Sequence, residues 1–167
     1  MVFALHTPKV YRIDDIVNPS RLLEGLPIII GSKDILIFSS YGSRPEITGF
    51  LREHALPADE AVTRELQRLS LYLDEYAEAF ACRLYAEPAV LEQLARLMST
   101  STESSELCDH VFAYGQKGPL LCFHDAFKSD PLYISSVIPE SNVGLFCSRL
   151  GRSYVIEDNP FGNGGQP

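Results

Sequence analysis

CDHVFAYGQKGPLLCFHDAF, residues Cys108 to Phe127, is the stretch around which the rest of the chain is read. Two runs rich in aromatic and aliphatic residues, HVFAY (His110 to Tyr114) and LLCFHDAF (Leu120 to Phe127), flank Gly115-Gln116-Lys117-Gly118-Pro119. Glycine reaches positive φ without steric cost, and a proline at a strand start gives up its N–H where the loss does least harm. Two such runs joined by a few residues that include glycine predict a β-hairpin.

The hairpin carries two of the four cysteines and two of the four histidines, spaced Cys108-x-His110 and Cys122-x-His124. Four nitrogen and sulfur ligands suit tetrahedral zinc. Side chains two apart on a strand share a face, so each pair is aligned within itself. Register decides whether the pairs meet. With a four-residue loop over 115–118, Tyr114 faces Pro119, His110 faces Phe123, and Cys122 faces Val111. The two pairs then point to opposite sides. Only a one-residue bulge or an odd-length loop brings them together, because a one-residue slip inverts the facing of a strand. C-x-H is also not the usual spacing of zinc cysteines.

These residues are therefore expected to be buried thiols and hydrogen-bonded histidines, with no metal and no cofactor, since free cysteine behaves as a small hydrophobe. Nucleophilic catalysis by Cys108 or Cys122 requires a base within hydrogen-bond reach and a lowered thiol pKa. No strand-turn-helix elbow surrounds either cysteine. In His124-Asp125 the aspartate, next on the strand, points to the other face.

Working outward, Lys9 to Ile13 alternates like a short strand. Asn18-Pro19-Ser20 opens a short helical segment that Gly25 and Pro27 cut off. Pro27 to Ile30 and Asp34 to Ser39 flank Gly31-Ser32-Lys33 and predict a second hairpin over 27–39. GSKD lacks the frame of a phosphate loop. The serine-rich run 39–43 reads as a turn rather than a nucleophile elbow. Pro45 opens a helix over 46–54, because the first helical turn has no use for its missing N–H.

The longest helical pattern spans about 59–78. Val62, Leu66, Leu69, Leu73, Tyr76 and Phe80 recur at intervals of four and three, one continuous apolar stripe. Ala79 to Tyr85 reads as a strand, Pro88 to Met98 as a helix, and Ser99 to Glu106 as a polar loop. If 79–85 and 109–114 are neighbours, the helix between them makes a βαβ unit. Leu132 to Ser135 is a brief strand. A last helix over 140–150 is stopped by Gly151, where a left-handed cap is favoured. Tyr154 to Ile156 adds an edge strand. The expected whole is one α+β domain over 1–156, with a mixed or mostly antiparallel sheet covered by helices, and a flexible tail over 157–167.

Composition bounds the function. The length of 167 residues suits one domain, and 46% hydrophobic with 22% charged residues are ordinary globular values. No apolar run reaches a membrane span, the N-terminus does not read as a secretory signal, and the cysteines lack the spacing of a disulfide scaffold. These features predict a cytoplasmic protein. Net charge −8 argues against nucleic acid as a partner. The excess is local: residues 58–108 hold ten acids and four bases.

Within that segment Glu65, Asp74, Glu75 and Glu78 lie opposite the apolar stripe. Acids on a helix usually form a solvated face. Here three of them sit in the C-terminal half, where they oppose the helix dipole. That placement favours a docking surface for a basic protein partner. The expected function is a non-enzymatic inhibitor or immunity-type protein that neutralises a basic toxin, since complementary charge steers encounter. The rival is a small enzyme or zinc-dependent protein using the cysteines, histidines and aspartates of the 108–125 hairpin. A homodimer through the apolar stripe is a third expectation.

Overall fold

Runs of aliphatic and aromatic residues lay down the strands. In the computed structural model, which describes residues 4–40, 44–62, 64, 80–100 and 108–162, these are β1 (Lys9–Ile13), β2 (Ile35–Ser40), β3 (Phe80–Tyr85), β4 (His110–Gly115), β5 (Gly118–Phe123), β6 (Leu132–Ser135) and β7 (Val155–Asp158). Among the described residues they form one sheet in the order β3-β2-β4-β5-β6-β1-β7. Every neighbouring pair is antiparallel. The α+β class read from the sequence is the class of this fold.

The pleat sorts side chains into two layers. Leu36, Phe38, Val111, Ala113, Leu121 and Phe123 face a large core. Four helices supply the rest of that layer: α1 (Pro19–Gly25), α2 (Pro45–Glu53), α3 (Pro88–Ser99) and α4 (Glu140–Leu150). Three of them begin on proline, as the first turn allows. α1 packs on both α3 and α4. Gly25 lets it approach, since a Cβ there would stand 3.0 Å from the Phe146 ring. Gly151 ends α4 at φ 66, the left-handed cap that its position predicts.

The opposite face holds a smaller cluster of Leu5, Val10, Ile37, Val62, Phe112 and Cys122. Of the long helix expected over 59–78, residues 60–62 and 64 are helical, and Asp59 caps them by accepting the Ala61 and Val62 N–H groups. Val62, the first residue of its apolar stripe, is buried on this second face. Phe80, the last, belongs to β3 instead. Residues 65–79 lie outside the described residues. Among the described residues no helix is long and apolar enough to cross a membrane.

Three expectations are corrected. There is no hairpin over 27–39: Leu26–Ile28 is a 3-10 turn continuing out of α1, and the Ile29 and Ile30 N–H groups both donate to Leu26 O. A short apolar run such as PIII does not distinguish a strand from a buried helical turn. Next, β3 and β4 are not neighbours, because β2 lies between them and pairs with both. The tail also begins later than 157. Glu157 and Asp158 belong to β7, where Asp158 meets Lys9 at 2.5 Å and Glu157 meets Arg12 at 2.9 Å.

Candidate functional site

The histidine corner is built by an irregularity in the β4–β5 hairpin. Gly115 pairs with Gly118 and Tyr114 with Pro119, so the loop is only Gln116-Lys117. Beyond this, Ala113 pairs with Leu121, Phe112 with Cys122 and Val111 with Phe123. Leu120 is the extra residue of a bulge, and its side chain joins the helix-side core. That single insertion overturns the register inferred for a regular hairpin and flips the facing of Leu121 to His124 relative to His110 to Ala113.

His110 and His124 consequently stand side by side, ring centroids 5.5 Å apart and edge to face. Both pack on Phe112, at 6.1 and 5.1 Å. Phe161 lies 6.4 Å from His124 and 5.3 Å from Tyr133. Cys122 belongs to the same face, whereas Cys108 precedes β4 and is buried in the helix-side core. Three of the four hairpin residues with metal-binding chemistry thus share a face, and the fourth does not. Among the described residues no group of three or more His, Cys, Asp or Glu is placed to hold a metal ion.

Backbone hydrogen bonds knit the corner together. Asp125 N–H donates to His110 Nδ1 at 3.1 Å, Ala126 N–H to Asp109 O at 2.8 Å, and Asp109 N–H to Ser39 O at 2.7 Å. The turn that achieves this holds Asp125 at φ 36 and Phe127 at φ 67, conformations that cost a non-glycine residue. Lys128 closes it through a 3.4 Å ion pair with Asp109.

This hydrogen bonding assigns the tautomer. A neutral imidazole whose Nδ1 accepts carries its proton on Nε2. His110 therefore carries N–H at Nε2 and has no spare lone pair for a metal or a substrate proton. Burial pushes its pKa down, helped by His124 and opposed by Asp125 and Asp109. Burial also pushes His124 down, against the pull of Asp125 and Asp130. Ser39, the cross-strand neighbour of His110, has a buried Oγ with no hydrogen-bond partner among the described residues. A serine beside a histidine is half of a nucleophile and base pair, but this histidine presents N–H where a base must present a lone pair.

The thiols are no better prepared. Burial raises Cys82 and Cys147 to about 11 and Cys122 to about 12, and drives Cys108 up as well. Cys82 donates its S–H to Leu51 O. A thiolate is the nucleophilic form, so these cysteines are packing groups at neutral pH.

The acidic residues picked out for docking, Glu65, Asp74, Glu75 and Glu78, lie outside the described residues. What is described is where their segment starts. Asp59 sits 3.4 Å from Arg83, whose guanidinium also donates to Tyr114 Oη at 3.1 Å and to Pro57 O at 2.5 Å. Sequence reading missed Ser39, Phe161 and Asn159 as members of the corner and its surroundings. Ser39 follows the apolar run Ile35 to Phe38 in β2, and that is its only signal. Compared with models of known protein families, with curated proteins and with solved structures, the chain matches none.

The two depressed imidazole pKa values set a pH dependence. The ordinary unfolded value is about 6.5, and a lowered folded value means that the unfolded chain binds the proton more readily. The stability from this corner is therefore complete above about 6.5 and is lost as pH falls from there through the folded values. Urea midpoints are expected to drop between about pH 7.5 and about pH 5.5, the window in which histidine titrates. His110→Asn keeps an acceptor near Nδ1 without the titration, and should flatten that slope. Parallel slopes for variant and parent would contradict the assignment.

Proposed function

We propose that the protein is a non-catalytic acidic binding protein that engages a basic protein partner, in the manner of an inhibitor or immunity protein that neutralises a toxin. The observation that carries this reading is the charge of −8, concentrated as ten acids against four bases over residues 58–108. Six of the described bases, Lys9, Arg12, Arg83, Arg96, Lys128 and Arg149, have carboxylate partners within the chain. Complementary charge of this kind sets on-rate and selects partners.

One observation favours a second reading. The bulge brings His110, His124 and Cys122 to one face, as a small enzyme would need. The engaged Nδ1 and the raised thiol pKa values count against it.

Titration against a panel of basic proteins, nucleases included, separates the two. Binding is expected at about 0.05 M salt and should weaken at about 0.3 M, where screening shortens the reach of charge. Glu65→Gln, Asp74→Asn, Glu75→Gln and Glu78→Gln together should weaken it about tenfold or more. Binding that ignores both salt and these substitutions, or no binding of any basic protein at low salt, would contradict the proposal.

A further inference from the structure

Away from the histidine corner, the loop after β1 and the end of α4 enclose a hollow of about 250 Å3. Asp15, Ile16, Val17, Asn18 and Arg21 line one side, and Leu150, Gly151 and Arg152 the other. The size is slightly below the roughly 300 Å3 at which sites for drug-sized ligands begin, so it suits a small metabolite. We propose that this hollow binds a small organic anion whose carboxylate or phosphate group is gripped jointly by Arg21 and Arg152, with Ile16, Val17 and Leu150 against its apolar part.

The first support is that two guanidinium groups face one hollow and neither forms an ion pair with a carboxylate among the described residues. Acids outnumber bases by eight, and six other bases have acid partners. Arg21 has no side-chain partner among the described residues, where only its backbone N–H is used, by Asn18 Oδ1. Arg152 is held by carbonyls alone, Nε donating to Asp15 O at 2.8 Å and Nη1 to Gly151 O at 3.4 Å. Its remaining amine is left for a ligand, and guanidinium is the side chain best matched to planar or tetrahedral oxyanions.

The second support is that the scaffold fixes this arrangement. Asp15 is at φ 58 and Gly151 at φ 66, and the Arg152 bond ties the two turns together. The negative end of α4 is already capped, with Gly151 N–H donating to Ser148 O and Arg152 N–H to Cys147 O. The Asp15 carboxylate is the one lining group that opposes an anion, which leaves the hollow with a net single positive charge. That opposition makes a sign test available. Asn tolerates positive φ as Asp does, so Asp15→Asn removes the charge at little conformational cost.

The test is titration of the full chain with inorganic phosphate and, separately, succinate, at an ionic strength held constant with chloride, read by amide chemical shifts. Saturable shifts over 15–21 and 150–152 are expected for at least one of the two. Arg21→Gln should weaken that binding about tenfold or more, as loss of a charge-assisted hydrogen bond does. Asp15→Asn should tighten it a few-fold. Arg152→Gln also loosens the loop, so Arg21→Gln is the deciding variant. Shifts no larger than those of chloride, equal affinity in Arg21→Gln, or weaker binding in Asp15→Asn would each overturn the proposal. It stands independently of the protein partner proposed above.

Discussion

Phe112→Ala is expected to lower the free energy of unfolding by about 3–5 kcal/mol, the range for emptying a buried aromatic site. Phe112 is 1% exposed and sits at the centre of the smaller core, among Val10, Ile37, Val62 and Cys122. Both histidine rings also pack on it. Neighbours on a hydrogen-bonded sheet cannot collapse into the space, so the cavity term adds to the lost burial. Leu145→Ala, at a side chain 63% exposed on α4, is the control and should change stability by less than about 0.5 kcal/mol. Urea denaturation of the two variants beside the parent checks the pair. A Phe112→Ala effect below about 1 kcal/mol would mean that this face is not a packed layer.

Asn159→Ala is expected to cost about 2–4 kcal/mol, from three hydrogen bonds lost and a buried carbonyl left without its donor. The Asn159 Nδ2 donates to Leu5 O at 2.6 Å and Thr7 O at 2.7 Å, while Oδ1 accepts the Phe161 N–H at 2.9 Å. The side chain is 8% exposed and stitches the residues before β1 to the turn after β7. Phe161 carries that stitch on to Tyr133 and His124. Loss of amide protection at Phe161 and at residue 159, whose N–H donates to Pro8 O, before the rest of the sheet would locate the damage. Unchanged stability, measured in the same urea series, would show that the termini are not joined through this residue.

Where local chemistry decides, the sequence is readable. Prolines 19, 45 and 88 mark helix starts, Gly151 marks a stop, and alternation in β1 marks a strand. These signals act within a turn or two of the residue that carries them. Failures come where the deciding partner is distant. PIII at 27–30 is apolar enough for either a strand or a helical turn, and α1 and the helix-side core select the turn. Leu120 to Phe123 is an unbroken apolar run without a phase, so nothing in it names Leu120 as the bulged residue. Yet that residue determines which face His110 shares with His124. Asn159 lies in NPFGNGG, which reads as a loose tail because the carbonyls its Nδ2 reaches are more than 150 positions away. The docking residues Glu65, Asp74, Glu75 and Glu78 rest on charge and spacing alone.

The most direct measurement is of the imidazole nitrogen shifts of His110 and His124, followed through a pH titration. His110 should be found neutral with its proton on Nε2, and both rings should take up a second proton only below the ordinary histidine range. Titration of His110 at the ordinary value would contradict its burial in a packed corner, and a proton on Nδ1 would free its Nε2 lone pair. It would then stand beside Ser39 as a base, and the corner would have to be read as an active site instead of a packed one.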